Sequence, residues 1–134
     1  MPEFRNNGPL EEFKDTINKN SKDHTYEFDP EDIRRNSALA AACYIPVLFI
    51  LPFFLRPDSR FAKFHANQGI LVLILDVVLG AAGKCVSFIP IVPFIFSAAT
   101  GIITFAYFLY GFINALNGKA KEVPFFGGIR LIKY

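Results

Sequence analysis

Charge is swept out of the middle of this sequence. Of its 26 charged residues, 15 fall in 1–35, four in 56–63 and five in 119–133, so only Asp76 and Lys84 interrupt the rest. A charge at the bilayer midplane costs about 2.5–3.5 kcal/mol on insertion scales, so long stretches cleared of charge are what a membrane selects. Water imposes no such rule. The overall apolar fraction of 52% is close to that of ordinary globular chains and does not reveal the pattern.

Three stretches have the length to cross. Residues 36–55 carry no charge over 20 positions, about 30 Å of helix. Pro46 and Pro52 lie inside this stretch, where each removes a backbone hydrogen bond and kinks a helix. A re-entrant hairpin is the rival reading, but 20 residues are too few for two full crossings. A polar turn, Arg56-Pro57-Asp58-Ser59-Arg60, precedes the second span at 64–83. The third apolar stretch is charge-free from Cys85 to Gly118, and Pro90 and Pro93 break it early, which leaves 94–116 as the span. The expected fold is therefore all-α: an integral membrane bundle of three transmembrane helices over 36–118, with a polar N-terminal segment at 1–35 and a basic tail at 119–134.

In the polar segment, Leu10, Phe13 and Ile17 sit at helical spacing after Pro9 and predict one short amphipathic helix. Asp29-Pro30-Glu31-Asp32 predicts a helix start, because Asp caps, Pro suits the first turn and the two acids favour the positive end of the helix dipole. This helix is expected to run on into the first span.

The second span carries the most information. At 100° per residue Gln68, Gly69, Val72, Asp76, Gly80 and Gly83 share one stripe, and His65 leads into it. The third span has a matching face of Ser97, Thr100, Gly101, Thr104, Tyr107, Gly111 and Ala115. Small residues let helices approach and polar ones bond across the contact. Asp76 and Thr104 lie near the middle of their spans. Asp76 is therefore expected to point into the bundle and bond Thr104, Thr100 or Tyr107, with Tyr44 as a further candidate. An intramembrane carboxyl has three readings: a register-fixing structural group, a proton- or ion-linked site, or a contact to a membrane partner. His65 and Gln68 are expected at headgroup level as a loop anchor.

Several functions find no support in the residues. There is no Cys/His cluster or C-x-x-C to hold zinc, and Cys43 and Cys85 read as small packing residues. The net charge of +2, without a basic stripe, gives no case for nucleic acid. His24 and His65 are the only histidines, and neither belongs to a recognisable triad or metal pattern, so neither an enzyme nor a cofactor is expected. The polar, acidic start has no secretory leader pattern. Seven basic residues (Arg56, Arg60, Lys63, Lys119, Lys121, Arg130 and Lys133) flank the turn and tail. With three spans this places the tail in the cytoplasm and the N-terminus outside, although Arg34 and Arg35 argue the other way.

The stretch from Arg56 to Gln68, with Arg60, Lys63, His65 and Gln68 opening an apolar span, resembles a known pattern, as does Gly118-Lys119-Ala120-Lys121-Glu122-Val123-Pro124 leading to Gly128-Ile129-Arg130-Leu131-Ile132. Both resemble bacterial and archaeal small membrane proteins related to the twenty-kilodalton Tic subunit of chloroplast protein import. There, an aromatic-basic-Phe-His-x-x-Gln motif opens a span and a Gly-to-Pro motif closes the domain. The resemblance implies an all-helical domain in a prokaryotic plasma membrane and, by the plastid relatives, a place in a translocation assembly. The plastid pattern has four spans where this sequence offers three. Taken together, the expected role is a non-enzymatic assembly or scaffold subunit, with an oligomeric transporter, channel or translocation component as the alternative. Its expected partners are the lipid bilayer and other membrane proteins or further copies of itself.

Overall fold

A computed structural model describes residues 8–132 and 134. The first seven residues and Lys133, which the sequence assigns to the polar segment and the basic tail, lie outside the described residues. Among the described residues the fold is helical throughout, with no strand beyond one isolated bridge between Asp23 and Lys121.

Helix α1 spans Pro9–Asn20, with Pro9 in its first turn, Glu11 and Glu12 near the positive end and Lys19 near the negative end. Helix α2 spans Pro30–Ala42, and the Asp29 carboxylate caps it by accepting from Glu31 N at 3.0 Å. It stops there. A turn follows in which Val47 takes a left-handed φ of 75°, then a 3₁₀ turn at Leu48–Ile50 and a short helix α3, Leu51–Leu55, with Pro52 in its first turn.

The single crossing expected for 36–55 is therefore replaced by a hairpin that enters and leaves at one end. Asp32, near the start of α2, accepts from Ser59 Oγ at 2.5 Å and from Phe61 N at 3.0 Å. Farther along, Tyr44 and Pro46 line a cleft with Val72, Leu73, Asp76 and Gly101. The chain then returns, and Arg56 and Arg60 share another cleft with Asp29, Asp32 and Arg35. The physical reason lies in the prolines. Pro46 has no N–H for the α2 ladder and Pro52 none for a continued one, so the chain folds back between them.

Helix α4, Arg60–Cys85, and helix α5, Val92–Leu116, form the antiparallel pair that dominates the molecule. Both are long and apolar enough to cross a membrane. At 1.5 Å per residue each runs about 37–39 Å, more than the ~30 Å of bilayer hydrocarbon. Ser59 caps α4 by accepting from Ala62 N at 3.1 Å. At the far end Ile91 adopts φ 72° and Pro93 sits in the first turn of α5, so 86–91 is a tight connection.

The pair is unevenly covered. Every buried residue of α4 lies between Phe61 and Val72, and the buried residues of α5 are Gly111 and Ala115. Around these proximal halves gather α2, the re-entrant turn and the tail. The distal halves stand alone. Helix α2 crosses α4 where Gly69 leaves room: a Cβ there would lie 2.1 Å from Cys43 O.

Candidate functional site

Three polar residues in the proximal half of α4, His65, Asn67 and Gln68, are wholly buried at 0% exposure. Burial of this kind demands partners, since an unpaired polar group costs about 1–3 kcal/mol. The tail supplies them. Gly118, at φ 72°, ends α5 with Lys119 N bonded to Asn114 O at 2.8 Å, a left-handed helix stop that turns the chain back over α4.

The tail then runs across the three side chains. His65 Nε2 lies 3.0 Å from Lys119 O, which fixes the N–H on that nitrogen; Nδ1 thus accepts from Tyr44 Oη at 2.7 Å. Gln68 donates from Nε2 to Gly127 O and accepts at Oε1 from Val123 N, both at 2.9 Å. Asn67 donates to Ile129 O at 2.8 Å and accepts from Leu131 N at 2.6 Å and Ile132 N at 3.0 Å. Tyr107 closes the set by donating to Pro124 O at 3.1 Å. Edge-on packing of Phe61 and Phe64 against the His65 ring excludes water around it. Among the described residues, Asn114 Nδ2 alone of the buried side-chain polar atoms has no partner.

The two stretches that carry the family resemblance are thus one physical unit. The first presents side chains and the second presents backbone. His65 and Gln68 are buried within the protein instead of facing headgroups, and what they anchor is the tail. With both ring nitrogens engaged and no exposure, His65 offers no lone pair or proton to a substrate. Arg60 holds its guanidinium 5.5 Å from the centre of the Phe28 ring, and Lys63 lies 6.0 Å from that of Phe53. Pro124 acts through its carbonyl.

Asp76 departs from expectation. It is exposed and makes no hydrogen bond among the described residues. Of the expected partners, Thr104 bonds its own helix at Thr100 O, Tyr107 bonds the tail and Tyr44 bonds His65. The depth match still holds. Asp76 shares one cleft with Gly101 and Thr104, and a second, of about 390 Å³, with Gly80, Gly83, Lys84, Ser97 and Thr100. The polar stripe read from α4 is therefore two surfaces: His65, Gln68, Gly69 and Val72 face inward, whereas Asp76 and Gly80 open outward.

Asn67, Asp32 and a second cluster about His24 were not singled out by the sequence. Asn67 falls off the helical stripe, but its place in an uncharged polar run, Asn67-Gln68 after His65, was the available signal. Asp32 does double duty, closing the re-entrant hairpin while capping α4. Among the described residues no His, Cys, Asp and Glu side chains gather as a metal set. No family model matches the chain, and no curated protein or solved structure is similar to it.

Proposed function

We propose that this protein is a non-enzymatic, multi-pass membrane subunit that lends its α4–α5 pair to a larger assembly. Asp76 carries the reading. It sits near mid-depth of a helix apolar enough to cross a membrane, past the last buried residue of α4, and it is exposed. A charge left against lipid there is costly, whereas a neighbouring helix bearing a donor at the same depth removes that cost. Gly80 and Gly101 support the same face, since a Cβ at either meets nothing within 4 Å and a partner backbone can come close.

In this reading the chain crosses twice instead of three times, with 36–55 dipping in and out. The N-terminal segment, the 56–63 turn and the tail then share one side. Thirteen of the fourteen Lys and Arg residues fall on that side, against Lys84 on the other, and the conflict over Arg34 and Arg35 disappears. The head therefore faces the cytoplasm of a prokaryotic cell. The resemblance to Tic-related proteins favours an assembly in the plasma membrane concerned with translocation.

Crosslinking in native membranes tests the proposal. Wild type should yield a defined larger species, lost in Asp76→Leu while the variant stays folded; a monomer throughout would refute it. A second reading, an oligomeric conductor, draws on the hydroxyl-lined cleft where Asp76 meets Ser97, Thr100 and Ser87. It requires flux in vesicles that Asp76→Asn abolishes.

A further inference from the structure

His24 has no part in the reading above, yet its ring is held on both sides by carboxylates. Nδ1 lies 2.5 Å from Glu27 Oε2, and Nε2 lies 2.6 Å from Glu122 Oε1. Neutral imidazole has one N–H; its other nitrogen is a lone pair, which a carboxylate oxygen repels. Only the imidazolium donates from both nitrogens, and its bonds to carboxylates are the strong, charge-assisted kind. The pairs are sheltered: the His24 and Glu122 side chains are 17% and 12% exposed, and Glu27 is 42% exposed.

The contact joins distant parts of the chain. Beside it, His24 N donates to Ala120 O at 2.8 Å, Glu122 N to Lys22 O at 2.9 Å and Ala120 N to Thr25 Oγ1 at 2.9 Å. Ser21 Oγ donates to Glu122 O at 2.5 Å. We propose that His24, Glu27 and Glu122 form a proton-gated latch, which fastens the N-terminal segment to the tail while the ring is charged and releases it when the ring is neutral.

The charges around the ring are consistent with this. Glu27 comes from the N-terminal segment and Glu122 from the tail, and Asp23, the residue before His24, has Lys121 and Lys119 near it. Tyr134 lies close enough to feel both glutamates, and α4 presents only the uncharged edge of Phe64, 5.9 Å from the ring centre. Loss of the proton turns one attraction into a lone pair facing a carboxylate. Docking of the two segments is therefore present while the ring carries both protons and lost when one leaves.

The test uses the full chain in lipid nanodiscs with 15N-labelled histidine rings. The sequence has two histidines, so His24→Gln assigns the signals. At about pH 6 the His24 ring should show both nitrogens protonated. Amide exchange protection at positions 24 and 122, corrected for intrinsic rate, should fall at least about tenfold between about pH 6 and about pH 9. In His24→Gln it should be the same at both, and Glu122→Gln should move the fall to lower pH. A singly protonated ring at about pH 6 would overturn the proposal, and wild type alone suffices to see it. So would protection that ignores pH, or a fall that persists unchanged in His24→Gln.

Discussion

Gln68 Oε1 accepts from Val123 N while the same amide donates to Gly127 O, so one side chain holds two points of the tail. Truncation to Ala leaves a buried N–H and a buried carbonyl unpaired. Gln68→Ala should lower stability by about 2–6 kcal/mol, counting roughly 1–3 for each orphaned group. Gln68→Glu should also be destabilising, because it keeps the acceptor but loses the donor to Gly127. Thermal unfolding in mild detergent, read together with limited proteolysis of 119–132, measures both. Tail protection equal to wild type in Gln68→Ala would refute the assignment.

Gly69→Ala should fail to fold or lose at least about 2 kcal/mol, because the clash is with the backbone of Cys43, which cannot rotate away. Gly101→Ala meets nothing within 4 Å and should leave monomer stability within about 0.5 kcal/mol. If the distal face docks on a partner, Gly101→Ala should nevertheless weaken the crosslinked species. Detergent melting and crosslinking on the same samples separate the two effects.

The two-span topology is tested by thiol labelling. Cys85 is exposed at the far end of α4, and Cys43 is buried. An impermeant maleimide should therefore modify Cys85 from one side only in sealed vesicles. In the Cys85→Ser background, Lys14→Cys and Asp58→Cys, on either side of 36–55, should both be labelled from the opposite side. Labelling of Lys14→Cys and Asp58→Cys from different sides would exclude the re-entrant path.

Asp23 sets a pH dependence at the acid end. Burial works to raise its carboxyl, but bonds from the Thr25 hydroxyl and amide, with Lys121 and Lys119 nearby, outweigh burial and hold it below its ordinary value of 3.8. The folded group therefore binds its proton less readily than the unfolded one. Its stabilising contribution is complete above 3.8 and fades as pH falls through the lower folded value. Thr25→Ala should move the Asp23 titration, followed by carboxyl carbon shifts, upward toward the ordinary value. No movement would mean that the Thr25 amide and the lysines hold it down without the hydroxyl.

The local events were legible. Asp29 and Pro30 announced a capped helix, and Pro90 and Pro93 marked the connection between the two long helices, because each acts within a few residues of itself. What stayed hidden was direction. An apolar count over 36–55 registers reach and is blind to reversal, and two prolines that kink a span in one context fold a hairpin in another. Asp76 was misplaced for a related reason: periodicity gives a face, but which half of a long helix the rest of the chain covers depends on contacts far away. The tail clamp lay further out of reach, since His65, Asn67 and Gln68 bond residues 54 to 65 positions later.

Those long separations bear on how the protein is made. When α4 emerges from the ribosome, Tyr44 is already present for His65, but the tail that bonds His65, Asn67 and Gln68 has not yet been synthesised. Asn67 and Gln68 therefore wait for partners that follow only after α5. A chain stopped after Leu116 would leave those groups unpaired on its proximal half. The proximal half of α4 is thus closed last, by the stretch 119–132.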